Sequence, residues 1–283
     1  MVGGVPAAAS GVRLVCLDLD GTLCDGEKNV SSGNRAALAR AREVGLAVAV
    51  ASGRHPFNVC ALMDDLGLSR TAVCLSGAYV MLDGREVFRH GISLECAERA
   101  IEVARRAGCY VSVSGTDFNL NSGSVTRAAS EAAASSRYQG CGDYDVLLRA
   151  VRARGGELLK CALHADDDEG YRELRVLLAE ALSGVTLARS DVRWMDVTDA
   201  GCSKAEGISA LAAAMGLSLA EVAAVGDDEN DVESMGVVGL GIAMGNAIGP
   251  VRSAAGMVVA DNEHDGVAEA IDAILAAREG RTS

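Results

Sequence analysis

The sequence predicts an α/β fold, a doubly wound parallel sheet interrupted by an inserted α+β segment. Three observations carry this. Solid apolar runs alternate with helix-forming segments over residues 1–84, the same rhythm returns over 190–283, and the stretch 85–189 breaks it. Apolar runs without alternation mark strands covered on both faces, and parallel sheets are covered that way because their crossover helices lie on both sides.

The elements follow in order. "VRLVCLDLD" is a buried strand stopped by Gly-Thr, and "SSGNRAALARAREVG" is a helix with a serine cap and a glycine stop. "LAVAVASGR" is a second strand, "HPFNVCALMDDLG" a helix with proline in its first turn, and "TAVCLSGA" a third strand. The insertion brings two amphipathic helices, "LECAERAIEVARRAG" and "DDEGYRELRVLLAEAL", and shorter mixed strands such as "CYVSVSG" and "LLKCALHA". "RAASEAAASSRYQG" is expected to be a helix or a mobile segment. The closing part reads as helix ("SKAEGISALAAAMG"), strand, loop and helix ("EVAAVGDDENDVESM"), two buried strands ("VVGLGIAMG", "GMVVADN") and a last helix ("DGVAEAIDAILAARE"). Residues 1–10 read as a short floppy lead-in, a poor signal peptide because it has no basic region and no long apolar segment.

Composition narrows the function. At 283 residues the chain can bury a full core, with 49% hydrophobic and only 3% aromatic residues. A net charge of −13 argues against a nucleic-acid or anionic-membrane partner, though not against a small anionic substrate. No apolar run reaches the roughly 20 residues of a membrane span. Nine cysteines with no CxxC pair read as reduced core thiols of a cytoplasmic protein.

Chemistry gathers at the strand ends, where ligands bind in open parallel sheets. Asp18 and Asp20 stand one residue apart after the first strand, so the period of two sends both the same way, and Gly21 permits the turn that exposes them. Ser52 and Gly53 end the second strand, offering a hydroxyl and backbone N–H groups at a helix start, a ready anion site. "GDDEND" puts Asp227, Asp228, Glu229, Asn230 and Asp231 at a third strand end. Two acidic strand ends in one crevice repel unless a cation lies between them, and an all-oxygen carboxylate set suits Mg2+. Lys204 opens the helix before that strand, where the helix dipole disfavours a cation unless carboxylates face it. A carboxylate pair, a divalent ion, a lysine and an anion cradle suit phosphoryl transfer through an aspartyl-phosphate.

The motifs "DLDGTL" (18–23), "ASGR" (51–54), "SK" (203–204) and "GDDENDVESM" (226–235), in this order, with the tail "GIAMGNA…VVADNEHDGVAEAI", resemble the haloacid dehalogenase superfamily in its Cof-like phosphatase branch. The resemblance covers the chain from about Val12 onward. It implies a Rossmann-like core over 1–84 and 190–283, with a large α/β cap over 85–189. It implies Asp18 as nucleophile and Asp20 as general acid, then base. Mg2+ would be held by Asp18, the Asp20 carbonyl and Asp227, with Asp231 in support. Ser52, Gly53, Lys204 and Asn230 would grip the phosphoryl group, and Arg54, Ser76 and Lys160 are candidate substrate contacts. The substrate would be a small phosphorylated metabolite, a sugar phosphate or a cofactor such as flavin mononucleotide or pyridoxal phosphate, and the protein a monomer or homodimer. A phosphomutase, a phosphotransferase and a non-turnover phosphate sensor share most of these motifs. Three positions depart from the branch: Ser76 replaces a usual asparagine, Asp228 an uncharged or amide residue, and Asp199-Ala200 a proline and a basic residue.

Other motifs carry less. Gly239, Gly241 and Gly245 in "GLGIAMG" read as a buried strand and turn rather than a dinucleotide loop, because no helix follows cleanly. The four histidines are scattered, and no His/Cys group has zinc spacing. The acidic run 165–170 reads as a helix N-terminus.

Overall fold

The structure is a computed structural model and describes residues 6–123, 138–156 and 158–280. Its elements among these residues form two sheets. The first has eight strands, β1 (Leu14–Leu17), β2 (Ala47–Ala51), β3 (Ala72–Cys74), β4 (Tyr79–Leu82), β5 (Arg85–Arg89), β12 (Val222–Gly226), β13 (Leu240–Ala243) and β14 (Met257–Val258). Their order is β14-β13-β12-β1-β2-β3-β4-β5. Helices α1 (Ser32–Glu43), α2 (Pro56–Asp65), α6 (Lys204–Ala214), α7 (Val232–Val237), α8 (Gly249–Ala254) and α9 (Gly266–Glu279) belong with it. The second sheet has six strands in the order β10-β11-β9-β6-β7-β8, namely β6 (Tyr110–Ser114), β7 (Asn119–Ser122), β8 (Tyr138–Gly140), β9 (Lys160–His164), β10 (Val185–Asp191) and β11 (Trp194–Asp199). Helices α3 (Leu94–Ala107), α4 (Tyr144–Arg154) and α5 (Asp168–Ala181) accompany it.

The expected alternation is present, and the period of two explains how β1 serves both faces. Val15 and Leu17 join the larger apolar cluster, whereas Leu14 and Cys16 join a second one with Ile208 and Leu211 of α6. Strands β12, β1 and β2 run parallel in register, Leu14 facing Val222 on one side and Ala47 on the other. Asp227, Asp18 and Ser52 therefore leave neighbouring strands at the same edge. Backbone bonds extend the ladder into the site, Asp18 N–H to Val225 O at 3.0 Å and Ser52 N–H to Val73 O at 2.9 Å.

The sheet is mainly parallel, as expected, with β4 and β5 forming an antiparallel hairpin at its edge. The sequence hid this pair because β5 is largely exposed and reads "REVFR", with no apolar run. The seams at 84/85 and 189/190 do not match the sheets. Strand β5 pairs into the first sheet, and β11 pairs with β9 and β10 in the second. Ala7–Gly11 of the lead-in form a 3-10 turn, with Ala9 fully buried in the core. The stretch expected to be a helix or a mobile segment falls, over 127–137, outside the described residues. No helix among the described residues is long and apolar enough to cross a membrane. All nine cysteines are thiols, six of them buried.

Candidate active site

The end of β1 carries Asp18, buried at 4% exposure. Lys204, the first residue of α6, is buried at 1% exposure and donates to Asp18 Oδ1 at 2.6 Å and to Asp231 Oδ1 at 2.8 Å. Asp231 Oδ2 accepts the backbone N–H groups of Asp227 (3.1 Å) and Asp228 (3.2 Å), so both oxygens of that carboxylate are engaged within the protein. Thr22 holds Asp227 Oδ1 at 2.7 Å. Asn246 Nδ2 donates to Gly21 O at 2.8 Å, which braces the turn after the aspartate pair.

Burial and like charge act together here. Burial raises the Asp18 carboxyl well above the usual carboxylate range, Lys204 pulls it back, and Asp231, Asp227 and Asp20 push it up again. Burial also lifts Asp227 to about 7, against the Thr22 hydrogen bond. Lys204 loses by desolvation but gains more from its two carboxylates, so its ammonium is held charged. One carboxylate oxygen from each of Asp18, Asp227 and Asp231 lies within 4.8 Å of the other two. Such a set of hard oxygens fits Mg2+. Gly21 has φ +80°, and a Cβ there would lie 2.4 Å from Asp227 Oδ2, so only a glycine lets the turn pack against that carboxylate. Because Lys204 and two amides occupy Asp231, the oxygens left to an ion are those of Asp18, Asp227 and the backbone.

Asp20 has a different setting. It faces a cavity of about 440 Å3 between the two sheets, lined also by Lys28, Gly53, Arg54, Lys160, Asp191 and Asp196. Arg54 donates to both Asp20 oxygens, Nε at 2.9 Å and Nη2 at 2.5 Å. Lys28 Nζ bridges Asp20 (2.6 Å) and Asp191 at the end of β10 (2.8 Å). Burial raises the Asp20 carboxyl, but the two cations outweigh it and bring it down to about 2. Asp18 and Asp20, one residue apart, thus sit in opposite electrostatic surroundings.

The remaining candidates surround these groups. Ser52 is buried and its Oγ accepts the Arg54 N–H at 3.2 Å. Lys160, buried at the start of β9, donates to Gly53 O at 2.6 Å and to Asp196 Oδ2 at 2.7 Å. Ser76 donates a short hydrogen bond to the same Asp196 oxygen. Leu75, Ser76 and Gly77 have φ of +51°, +58° and +103°, a left-handed run that places Ser76 there. Asparagine tolerates that region better than serine, which accounts for the usual residue and for the strain stored here. Asn230 lies in the acidic loop, its buried Oδ1 without a hydrogen-bond partner among the described residues. Ser52, Ser76 and Asn230 do not line the cavity wall.

Sequence reasoning missed Lys28, Asp191, Asp196 and Asn246. Asn246 lay within the quoted tail; the other three carry no local signal, since only the fold brings residues 28, 191 and 196 to one cavity. Asp228 has a reason it lacked in sequence: Arg189 of β10 donates to it at 2.9 and 2.5 Å, as Arg175 of α5 does to Glu229 at 3.0 and 2.7 Å. The excess acid of the loop is matched by arginines from the second sheet's side. His55 caps α2, and its Nε2 contacts Gly115 O (2.9 Å) and Phe118 O (3.2 Å); burial lowers it to about 4, so it is neutral at pH 7.

Comparison with known proteins agrees with this arrangement. Residues 15–271 match the family model of haloacid dehalogenase-like hydrolases. YkrA of Bacillus subtilis (strain 168), provisionally described as a phosphatase, is 27% identical over 271 residues, covering 92% of this chain and 96% of its own. A haloacid dehalogenase-like hydrolase from Bacteroides thetaiotaomicron superposes with a TM-score of 0.78 at 27% identity, covering 93% of this chain and 99% of its own. The subclass IIB sugar phosphatase BT4131 shares the fold, with a TM-score of 0.79 at 20% identity and coverage of 92% and 98%.

Proposed function

The chain belongs to the haloacid dehalogenase-like hydrolases, as a phosphatase, and on that premise we propose that it is a Mg2+-dependent enzyme releasing phosphate from a small phosphorylated metabolite through an aspartyl-phosphate, an acyl phosphate on Asp18. The observation that carries this reading is Lys204 buried between Asp18 and Asp231. A carboxylate destined to meet a phosphate needs a fixed neutralising charge beside it, and a lysine is costly to bury for any other purpose.

In the first half-reaction the Asp18 oxygen not held by Lys204 attacks phosphorus. The bond from phosphorus to the leaving oxygen breaks, and Asp20 gives that oxygen a proton. In the second, Asp20 takes a proton from water, the water oxygen attacks phosphorus, and the bond to Asp18 breaks to restore its carboxylate. Ser52, Gly53, Asn230 and Lys204 hold the phosphoryl oxygens. Asp18, the Asp20 carbonyl and Asp227 would hold Mg2+, which supplies charge neutralisation at the phosphoryl group, and Asp231 fixes Lys204 and the Asp227 loop. Asp20 rests in its ionised form under Arg54 and Lys28, the form the second half needs. The first half needs it protonated, so both cations leave it as substrate enters.

The substrate class is sugar phosphates and phosphorylated cofactors, the cap being 85–189 by sequence, with the strands of the second sheet running from Tyr110 to Asp199. Nine thiols without a disulfide support a cytoplasmic protein, monomeric or homodimeric. The test is phosphate release from a panel of phosphorylated metabolites, with Mg2+ and with EDTA, by wild type and Asp18→Asn. We expect metal-dependent release that falls at least about 1000-fold in the variant, the scale of losing a nucleophile. Release that survives in Asp18→Asn would overturn the assignment. Transfer to a sugar acceptor would indicate a mutase or transferase, and phosphate held stably on Asp18 a sensor.

A further inference from the structure

The turn after the aspartate pair is held from outside by two loops late in the chain. One, residues 244–248, follows β13, and the other, residues 259–265, follows β14. They lock to each other through Gly245 N–H to Ala260 O at 3.0 Å, and a Cβ at Gly245 would lie 2.8 Å from Asp261 N, so the two backbones touch. The first loop also grips the end of β12, Met244 N–H to Gly226 O at 3.1 Å and Ile248 N–H to Asp227 O at 2.9 Å.

Asn246 stands where these contacts meet. Its Nδ2 donates to Gly21 O at 2.8 Å and lies 3.5 Å from Asp227 Oδ2, the outer limit of a hydrogen bond. Its Oδ1 accepts the Asn262 N–H at 3.3 Å. A backbone carbonyl can only accept and a backbone N–H can only donate, so these two partners fix which way the amide faces. Asn262 sends its own Nδ2 to Cys24 O at 3.0 Å, and Glu263 Oε1 accepts the Gly26 N–H at 2.8 Å. The turn is thereby held at residues 21, 24 and 26. Asn246 is exposed, where water satisfies an amide in any orientation, yet it is turned onto two groups of the site. Those are the groups a divalent ion needs held. Gly21, with φ +80°, lies between the Asp20 carbonyl and Thr22, and glycine is the least constrained residue a turn can contain. Anchoring its carbonyl limits the rotation that would swing the Asp20 carbonyl away. On Asp227, Thr22 holds Oδ1 at 2.7 Å, and Asn246 addresses Oδ2 with a neutral donor, which does not compete with a cation as a lysine would.

We propose, on the Mg2+-dependent phosphatase reading above, that Asn246 is a positioning residue of the metal site, holding the Asp20 carbonyl and Asp227 Oδ2 ready for the ion, and that Asn262 keeps its amide turned to that task. Neither side chain touches the reacting atoms, and neither lines the cavity between the sheets. Their effect is on how tightly the ion is held and, through it, on kcat, while the walls that meet the substrate are left as they are.

The test is the melting temperature of the full chain titrated with MgCl2 at constant ionic strength, for wild type, Asn246→Ala and Asn262→Ala, with EDTA as the metal-free reference. An ion that binds only the folded protein raises the melting temperature as its concentration passes Kd. The Mg2+ midpoint is expected about 10- to 100-fold higher in Asn246→Ala, the usual scale for a residue that orients a metal ligand, and to rise by less in Asn262→Ala. In EDTA, Asn246→Ala should melt within about 2 °C of wild type, as an exposed side chain does. Turnover of p-nitrophenyl phosphate gives a second readout. The kcat of Asn246→Ala should fall at low Mg2+ and recover as Mg2+ is raised, with KM at saturating Mg2+ unchanged. A Mg2+ midpoint equal to that of wild type, with phosphate still released, overturns this inference and leaves the phosphatase standing. So does a loss of melting temperature as large in EDTA as in Mg2+, which would make the amide a structural brace alone. If Mg2+ neither stabilises wild type nor is needed for its release of phosphate, the metal-dependent reading falls and this inference with it.

Discussion

Lys204 concentrates the electrostatics of the site in one side chain. It is fully buried, and its two bonds reach the carboxylates that follow β1 and β12, Asp18 and Asp231. Lys204→Met leaves Asp18 and Asp231 buried without a counter-charge, and should cost about 3–5 kcal/mol in a urea titration of the metal-free protein. Asp227 gives a pH signature. Its carboxyl sits at about 7 in the fold against 3.8 ordinarily, so between these values the folded state holds a proton that the unfolded chain lacks. Stability of the metal-free protein should therefore fall as pH rises from about 4 to about 7. Bound at the proposed site, Mg2+ would favour the ionised form and should reverse that slope, and melting temperatures across this range with Mg2+ and with EDTA check it. At this scale sequence was most informative where charge had to be compensated locally. Asp18, Asp227 and Lys204 could be named because carboxylates at strand ends demand a cation. Lys28 and Asp196 could not, because their partners are remote in the chain and neither breaks a local pattern.

Helix α6 is placed by a contact between two elements rather than by its own sequence. Gly77, at the left-handed turn between β3 and β4, lies against the helix start: a Cβ there would sit 1.9 Å from Ser203 O. One turn on, a Cβ at Gly207 would meet Val73 Cγ1 at 2.4 Å and Gly77 Cα at 3.0 Å. Close approach of the backbones seats Lys204 under Asp18. Gly207→Ala should push the helix outward, cost about 1–3 kcal/mol by overpacking, and lower kcat more than it raises KM, since it displaces the lysine and leaves the cavity wall intact. Steady-state kinetics beside a denaturant midpoint would separate the two effects. Most strands and helices were legible because their apolar runs are unbroken. The β4–β5 hairpin was not, because an exposed edge strand needs no apolar run, and β5 carries arginines and a glutamate where a central strand carries valine.

At the scale of the whole molecule the two sheets meet through charge. Arg189–Asp228, Arg175–Glu229 and Lys28–Asp191 cross between them, with Lys160 reaching Gly53 O. Half-exposed pairs of this kind are worth about 0.2–1 kcal/mol each, enough to set a position and little enough to release it. Replacing Arg175 and Arg189 together by alanine should raise KM a few-fold with little change in melting temperature, and added salt should raise KM in the wild type but less in the variant. That the middle segment forms a separate sheet was legible from its change of rhythm, whereas its seams depend on strand partners no local pattern reveals. The sheet order has one more consequence, in the time course of biosynthesis. Strand β1 is made well before one of its two neighbours, β12, which lies roughly 200 residues later and whose Val225 accepts the Asp18 amide. At about 5–20 residues per second a ribosome needs about 10–40 s to cover that distance. Throughout it β1 presents an open edge, the turn that carries Asp18 lacks its anchor, and the whole inserted segment emerges and can fold in between. A nascent chain halted after that segment is thus a template for wrong strand pairing, and the protein should lean on chaperones most during that interval.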